Sequence, residues 1–463
     1  MIEKDVLERV LGRALRDGGS FAEVFVEDRA ASSAVLDDGR IEELTSGRER
    51  GAGIRVISGE STGFAHTTDL SERGLLDAAA VAAAAARGGT AGVRSVSLTE
   101  RSVVPTTISV RPESVTKADK VELLRRAEAA ARGKGNDIRQ VRAMYADGRR
   151  RFVVANSEGV FASDDQTRTR LAVQCVAVGD AGMQTGFESL AGVRGWELFD
   201  DRPPETVAEE AARRALVKLN ARPAPSGLLP VVLAAGSGGV LFHEACGHGL
   251  EADHIVKGSS TFAGRVGEQV ASPLVTLVDD GTVTGAWGNL AVDDEGHPAT
   301  RNVLIQDGVL ADYMWDGRSA RKEKHALSGN GRRQTYKVLP MVRMTNTYLL
   351  NGDSDPDDII ASTERGVFVK QLGGGQVDTA SGDFVFGMVE SYLIEDGEIT
   401  EPLRESNLVG NGPDVLTGID AVANDFKLAN GGGMCGKDGQ SVPVGMGQPT
   451  LRVAAMTVGG TAS

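Results

Sequence analysis

The sequence predicts an α+β protein, with an N-terminal region of antiparallel sheets and flanking helices and a mainly antiparallel C-terminal β domain. Two observations indicate this class. Segments such as 4–16 and 117–132 have apolar residues at helical spacing, whereas many intervening runs have the composition or alternation of strands. Asp-Gly pairs, which favour tight β-hairpins, lie between strand-like runs at 38–39, 147–148, 280–281, 307–308 and 396–397.

The first predicted domain begins with an amphipathic helix over 4–16 and ends with an alanine-rich helix near 70–87. Between them, strands and the Asp38-Gly39 hairpin predict a curved antiparallel sheet with helices on one face. A loop then leads into the second unit. The three predicted domains are an N-terminal α+β domain, a middle α+β segment and a C-terminal domain, at 1–110, 111–226 and 227–463.

The middle segment begins with a helix over 117–132 and ends with a helix over 204–220. Strand-like runs lie between these helices, and Asp147-Gly148 predicts a hairpin there. The stretch 222–227, Arg-Pro-Ala-Pro-Ser-Gly, has the composition of a linker. We therefore place the boundary of the C-terminal domain in this linker, at residue 227.

Composition limits the classes of function. The chain has 463 residues, ordinary hydrophobic and charged fractions, and a formal net charge of −14. This charge argues against nucleic acid as the main partner, because it provides no basic field for phosphates. We find no apolar run of membrane-spanning length and no signal-like start. Three widely spaced cysteines form no disulfide framework, so we expect a cytoplasmic protein without a membrane partner.

The C-terminal domain opens with the stretch His243-Glu244-Ala245-Cys246-Gly247-His248. Two imidazoles beside a carboxylate are the groups of a zinc hydrolase, with the glutamate able to take a proton from a metal-bound water. The common spacing is H-E-x-x-H, but here the histidines are five residues apart, about 140° around an ideal helix. A π-bulge would bring them together, and we expect Gly247 to ease this distortion.

The context of this motif favours a functional helix, although a core helix with two satisfied histidines remains the alternative. The run 228–233 predicts a buried strand, glycines at 236–239 predict a turn, and a helix opens at 240. A phosphate-binding loop is rejected because the G-x-x-x-x-G-K-[ST] pattern is missing. The C-terminal β domain therefore carries the predicted metal-site helix.

Cys435 lies in the glycine-rich stretch 430–439, which we interpret as a loop. In such a loop, followed by Lys437, a cysteine is better placed to be a thiolate than in an apolar strand. A loop cysteine without any role is the alternative.

These motifs together resemble the TldD/PmbA family of metalloproteases, on the TldD side, over nearly the whole chain. The resemblance is carried by several stretches in addition to the histidine motif: 21–28, 51–58, 63–65, 382–384, Leu408-Val-Gly-Asn-Gly412, Cys435-Gly-Lys with Gly439-Gln440, and Gly447-Gln-Pro449. It implies zinc held by His243, His248 and Cys435, with Glu244 as the general base. It also implies cleavage of unfolded proteins or leader peptides.

Two other residues compete for the third ligand position. His254 follows His248 by six residues, as in the metzincin pattern, but Glu251 stands where that pattern has its glycine. Cys246 lies between the two histidines on one helix, where it is poorly placed to complete a tetrahedron. We therefore predict that Cys435 is the ligand and that His254 and Cys246 are not.

The resemblance further implies a paired assembly, either with a PmbA/TldE-type paralogue or as a homodimer. The alternative function is a non-proteolytic interaction protein that modulates a partner such as a topoisomerase and contains a structural metal. A closed structural site needs four protein ligands, so three candidates beside a glutamate fit an open catalytic site better.

Overall fold

The computed structural model describes residues 2–86, 95–104, 106–180, 182–236, 239–378, 380–404 and 406–460. Residues 87, 237 and 238, which belong to a predicted helix end and a predicted turn, lie outside the described residues. The α-helices are α1 (Lys4–Leu15), α2 (Glu72–Ala85), α3 (Lys117–Gly133), α4 (Leu198–Asp201), α5 (Pro204–Leu219), α6 (Gly239–Phe242), α7 (Ala252–Lys257), α8 (Gly317–Glu323), α9 (Pro356–Ala361) and α10 (Gly412–Thr417).

Strands dominate the rest of the described chain. Their bounds are β1 (Phe21–Asp37), β2 (Arg40–Ser58), β3 (Ser61–Thr67), β4 (Thr99–Glu100), β5 (Ile138–Asn156), β6 (Val160–Gly179), β7 (Gly182–Gly192), β8 (Arg222–Pro223), β9 (Gly227–Leu233), β10 (Leu277–Asp280), β11 (Arg301–Gln306), β12 (Val309–Leu310), β13 (Gly331–Arg332), β14 (Met341–Val342), β15 (Asn346–Leu349), β16 (Arg365–Val377), β17 (Asp383–Glu395), β18 (Glu398–Arg404), β19 (Ser406–Asn411), β20 (Ile419–Val422), β21 (Lys427–Leu428), β22 (Gly433–Lys437), β23 (Gln440–Gln448) and β24 (Leu451–Gly460). The predicted α+β class is confirmed.

The N-terminal sheet unites strands from the first two predicted domains. Its described strands follow the order β3-β2-β1-β5-β6-β4, with β7 paired to β6. Helices α1 and α2 pack on β1 and β2, and α3 and α5 pack on β5 and β6, because each helix buries an apolar stripe. The opposite face of the sheet contacts the C-terminal part of the chain through Phe25, Phe152, Val292 and Tyr336. The division at residue 110 remains a prediction.

Two of the predicted hairpins are wrong. β5 runs straight through Asp147-Gly148, where Asp147 is paired with Ser32 of β1 and Thr169 of β6. A turn is impossible there because both edges of β5 are bonded to neighbours. At Asp280-Gly281 the chain leaves β10 and returns only at Arg301 in β11. Local Asp-Gly chemistry was overridden in both cases by long-range pairing.

The remaining Asp-Gly predictions are confirmed, and a further turn was missed. Asp38, Asp307 and Asp396 have φ of 49°, 48° and 51°, each followed by a glycine with positive φ, as a tight hairpin requires. Asp438 and Gly439 have φ of 48° and 74° and connect β22 to β23. The stretch around Cys435 is therefore a strand in a hairpin and not the predicted loop.

The C-terminal part contains two mixed sheets around one core. One has the order β12-β11-β10-β15-β23-β21, with β22 on β23, and the other has the order β16-β9-β24-β19-β17-β18-β8, with β20 on β24. Most described pairs are antiparallel, but β9–β16, β15–β23 and β8–β18 are parallel. Part of the predicted linker, Arg222–Pro223, is the edge strand β8. Among the described helices, none is long and apolar enough to cross a membrane.

Candidate metal centre

The two histidines of the motif lie on a distorted helix. After β9 the chain forms α6, and the next five residues, His243–Gly247, form a π-helical turn. The backbone N–H of His248 donates to the carbonyl of His243, which is the i→i+5 bond that the spacing predicts. The two imidazole centroids are 4.9 Å apart with an angle of 84° between the rings. The predicted bulge is confirmed, and it brings both rings to one side of the helix.

Gly247 is required for a different reason from the one predicted. Its φ of −52° and ψ of −53° are ordinary helical values, so its conformational freedom is not used. A Cβ atom at Gly247 would lie 2.3 Å from the sulfur of Met344, and a Cβ at Gly412 would lie 2.0 Å from the carbonyl oxygen of Ala245. Both glycines allow neighbouring segments to pack closely against the π-helical turn.

The hairpin of β22 and β23 brings Cys435 to the histidines. One donor atom from each of His243, His248 and Cys435 lies within 4.8 Å of the others. The sulfur of Cys435 is 3.3 Å from Nε2 of His248, and the exposed fractions of the three residues are 3%, 8% and 3%. Arg343 donates a hydrogen bond to the backbone carbonyl of Cys435 and so anchors this hairpin.

The two rival ligands lie outside this group of donors. Cys246 points back along its helix and donates to the carbonyl of Phe242 at 3.2 Å, and burial raises the pKa of its thiol to about 12. Nδ1 of His254 is 3.3 Å from the hydroxyl of Ser259. His254 clusters instead with Glu251 and Asp253.

Electrostatics favour a thiolate at Cys435. Burial alone would raise the pKa of this thiol, but the neighbouring imidazoles of His243 and His248 outweigh burial and lower the pKa to about 5. Burial raises the pKa of Glu244, whose side chain is 18% exposed and has a carboxylate oxygen 4.0 Å from Nε2 of His248. A carboxylate with a raised pKa is better matched to proton transfer near neutral pH.

A buried ion-pair network fixes the orientation of His248. Nδ1 of His248 is 3.0 Å from a carboxylate oxygen of Glu251, which is fully buried. Because the pKa of Glu251 is lowered, against the effect of burial, by Lys437 and His248, this carboxylate is ionised and can only accept. Nδ1 therefore carries the hydrogen and Nε2 faces Cys435. Lys437 bonds both Glu251 and Asp253, at 2.9 Å and 2.6 Å.

Glu251 and Lys437 contact the candidate centre through His248, and sequence reasoning missed them in this role. Glu251 lies three residues after His248, close to one helical turn, and this spacing was the available signal. Lys437 lies two residues after Cys435 in the same strand, so both side chains point to the same face.

The Glu251→Gln variant should bind zinc roughly tenfold to 100-fold more weakly, because the partner that orients a ligating imidazole loses its charge. The matched control is Asp253→Asn, which removes the other carboxylate on Lys437 without touching His248. Competition with a chromophoric chelator measures both affinities. Equal zinc affinity in the two variants would show that Glu251 does not support His248.

The residues present fit a zinc ion. Two imidazoles and a thiolate are zinc's preferred donors, and three protein ligands leave a position open for catalysis. Nδ1 of His243 is buried and has no hydrogen-bond partner among the described residues. Such an orphaned polar atom is unfavourable unless an ion or water satisfies it.

Comparison with family models places the chain in a known class. Three models match in succession: PmbA/TldA metallopeptidase domain 1 at residues 22–86, the central domain at 110–219 and the C-terminal domain at 226–460. The class of protein is thus a metallopeptidase. The chain belongs to the PmbA/TldD family, on the TldD side, so the family resemblance of the sequence is confirmed.

Relatives and solved structures agree with this assignment. The chain is 42% identical to the Metalloprotease TldD homolog of Haemophilus influenzae, over 95% of this chain and 93% of that protein. It is 37% identical to a metalloprotease of Methanothermobacter thermautotrophicus, over 99% of this chain and 100% of that protein. The structure of a Thermotoga maritima protein described as a candidate modulator of a DNA gyrase has a TM-score of 0.81 at 22% identity. The match covers 98% of this chain and 100% of that protein. TldE of Thermococcus kodakarensis has a TM-score of 0.77 at 21% identity, with the same coverage, and these two likenesses show the fold alone.

Proposed function

We propose that the protein is a zinc peptidase that cleaves unfolded proteins or peptides, as in leader or peptide processing, in the cytoplasm. The observation that carries the proposal is the convergence of the donors of His243, His248 and Cys435 beside the carboxylate of Glu244. We assign Glu244 the role of base and not that of a fourth ligand, because the clustered donors are those of His243, His248 and Cys435 and do not include Glu244. Family membership supports the peptidase class.

The chain's residues divide the chemistry between them. His243, His248 and Cys435 would hold the zinc, which when bound lowers the pKa of a water molecule toward about 7 and polarises a carbonyl. Glu244 accepts the proton of the attacking water and later delivers it to the leaving amine. Glu251 keeps the hydrogen of His248 on Nδ1, which leaves Nε2 available as a donor atom.

A large cavity near the helix and the hairpin that carry the donor cluster has room for an extended polypeptide, although neither the three donor residues nor Glu244 lines it. It has a volume of about 780 Å³ and includes Val240, one helical turn before Glu244, and Met434, the neighbour of Cys435. Much of its wall is glycine, at 373–374 and 431–433, where the backbone is open to a ligand. Main-chain hydrogen bonds to such a wall demand little of substrate side chains. An unfolded chain presents such a segment freely, whereas most segments of a folded domain have their backbone groups bonded within the domain.

The proposal predicts that one protein, offered in its native and in its permanently unfolded form, is cleaved only when unfolded. The measurement is gel-based cleavage of both forms, with a zinc-depleted sample and its zinc-restored counterpart as controls. Cleavage of both forms at equal rates would contradict the proposed substrate class. Cleavage that survives complete zinc removal would contradict the metal mechanism.

We further propose that the active form pairs with a PmbA/TldE-type paralogue or with a second copy of itself. Support comes from the family and from the shared fold with a protein named TldE. Light scattering of active fractions should therefore give at least a dimer, formed either by this chain alone or only after the paralogue from the same genome is added. A monomer with full activity would refute pairing.

The competing function, non-proteolytic modulation of a topoisomerase with a structural metal, has weaker support. Two structures described as candidate modulators of DNA gyrase share the fold at 22% and 21% identity, which is too distant to transfer a function. A structural zinc site is normally closed by four protein ligands, and the donor cluster here has three.

A further inference from the structure

A second cavity, of about 400 Å³, lies between the N-terminal sheet and the β22–β23 hairpin. Strands β1, β2, β5 and β6 provide one wall, and Trp287, Met434 and Pro443 belong to the other. Successive residues of a strand point to opposite faces, so Met434 faces away from the side on which Cys435 meets the histidines. Met434 lines both cavities, so only its side chain need separate them at this position.

This cavity, which we call the arginine cavity, has an excess of arginines in its lining, although Arg149, Arg150 and Arg333 pair with Asp165, Glu27 and Glu23. Its ionisable lining residues are two aspartates, Asp147 and Asp294, and six arginines: Arg29, Arg149, Arg150, Arg168, Arg332 and Arg333. The excess is unusual in a chain whose formal net charge is −14. A concave surface of one sign concentrates the field at its centre and attracts groups of the opposite charge.

We call Arg168, Arg332 and Arg333 the deep arginines, and neither lining aspartate forms an ion pair with them. Asp147 is bonded to Lys120 at 2.5 Å, and Asp294 is bonded to Arg150 at 2.8 Å. Arg168 donates only to neutral acceptors, the carbonyls of Trp287 and Asn289 and the side chain of Gln166. Among the described residues, Arg168 has no carboxylate partner.

The other two deep arginines are similarly under-satisfied. Arg332 donates to the backbone carbonyls of Met344 and Pro443 and, within the described part of the chain, pairs with no carboxylate. Arg333 is 1% exposed and pairs with Glu23, yet its Nε and one terminal nitrogen have no described partner. Buried charges are normally paired, and buried donors are normally bonded.

The pKa values of two of these guanidinium groups agree with a site that favours an anion. Burial, together with the nearby charges of Arg332 and Arg150, lowers the pKa of Arg168 to about 9. Burial and the charge of Arg343 also lower the pKa of Arg332, to about 10, although Asp294 opposes this. A bound anion would relieve both effects.

We propose that the arginine cavity binds a carboxylate side chain of the polypeptide substrate, so that segments containing Glu or Asp are preferred. The inference rests on the proposed function and names the substrate's side-chain class. Arginine forks match the two oxygens of a carboxylate, and Trp287, Met434 and Pro443 offer apolar surface for the methylene groups. Because Met434 lines both cavities, a chain in the glycine-walled cavity can place an acidic side chain here.

The test measures peptide binding by fluorescence anisotropy, using the full chain with the Glu244→Ala substitution so that no cleavage occurs. Two labelled ten-residue peptides differ only in one central Glu or Gln. The Glu peptide should bind about tenfold more tightly, as expected for charge-assisted hydrogen bonds. Equal affinity for the two peptides would overturn the proposal.

Substitutions of single arginines test whether the preference for the Glu peptide arises in the arginine cavity. Arg168→Met should abolish the preference for Glu, measured as the ratio of the affinities for the two peptides. The matched control, Arg151→Met, removes an arginine of β5 that lies outside the cavity and pairs with Asp28, and it should retain the preference. If Arg168→Met does not fold, judged by circular dichroism, the exposed Arg29→Met variant decides, with a smaller loss expected. A preference that survives in the folded variant would overturn the proposal.

Competition between small anions and the labelled Glu peptide shows which class of anion the arginine cavity binds. Succinate should displace the Glu peptide at lower concentration than inorganic phosphate, and the reverse order would overturn the carboxylate assignment. Because cleavage plays no part in these measurements, their outcome is separate from that of the proposed function. A protein that prefers the Glu peptide but never cleaves would refute peptidase activity alone, and one that cleaves without this preference would refute the arginine cavity alone.

Discussion

The Glu244→Ala variant is expected to lose peptide cleavage by about 100-fold to 10,000-fold or more while retaining its zinc. The physical reason is the division of roles in the centre. Glu244 lies beside the donor cluster, with its carboxylate 4.0 Å from Nε2 of His248, and its raised pKa suits a proton acceptor. The zinc content is measured by elemental analysis, and the cleavage by release of a labelled peptide.

The matched control is Glu122→Ala, an exposed glutamate on α3 far along the chain from the centre. It should keep both zinc and activity. If Glu244→Ala turned over peptide at the parent rate, Glu244 would have no place in the mechanism. If it lost zinc together with activity, Glu244 would act as a ligand and not as the base.

The Cys435→Ala variant should lose zinc and activity together. A thiolate is a strong zinc donor, and the neighbouring imidazoles lower the pKa of the Cys435 thiol to about 5, which favours the thiolate at neutral pH. Removing a direct ligand should weaken zinc binding by more than the roughly 10–100-fold that a lost supporting partner costs. Equilibrium dialysis against buffered zinc measures the difference.

Two variants serve as controls for this prediction. Cys246→Ala removes the cysteine whose thiol donates to Phe242, and His254→Ala removes the histidine that lies near Ser259. Both should keep zinc. If His254→Ala lost the metal and Cys435→Ala kept it, the ligand assignment would be wrong and the centre would resemble a metzincin.

The local geometry of the helix could be predicted from the sequence because it depends on spacing. Histidines five residues apart cannot share one face of a regular helix, so a shared site demanded the π-helical turn that the structure contains. The role of Gly247 could not be predicted, because the neighbour that requires a glycine is Met344, almost 100 residues further along the chain.

Strand pairing was predictable only where it is local. The turn at Asp38-Gly39 connects adjacent strands, and the residue pair itself specifies it. Asp147-Gly148 is the same residue pair, but there β5 is hydrogen-bonded to a neighbouring strand on each edge. The carboxylate of Asp147 forms an ion pair with Lys120 instead of stabilising a turn. Cys435 was predicted in a loop because the stretch 430–439 is rich in glycine. The pair Asp438-Gly439, which forms a hairpin turn in the structure, was not considered as a turn signal.

The residues that support the metal centre and those that line the arginine cavity are brought together by long-range contacts. These contacts could not be predicted from the sequence. Lys437 reaches Glu251 across 186 positions of the chain. The arginine cavity joins Arg168 of β6 with Arg332 of β13, and no sequence pattern places these two side chains together. Buried charges without carboxylate partners can be recognised only when every neighbour is known.

The central claim is that His243, His248 and Cys435 hold one zinc ion, and X-ray absorption at the zinc edge tests it most directly. The protein loaded with one equivalent of zinc should show a single sulfur at about 2.3 Å and nitrogen donors at about 2.0–2.1 Å. Cys435→Ser should lose the sulfur signal, whereas Cys246→Ser should keep it. A zinc environment without sulfur in the parent protein, or a sulfur signal that depends on Cys246, would contradict the account.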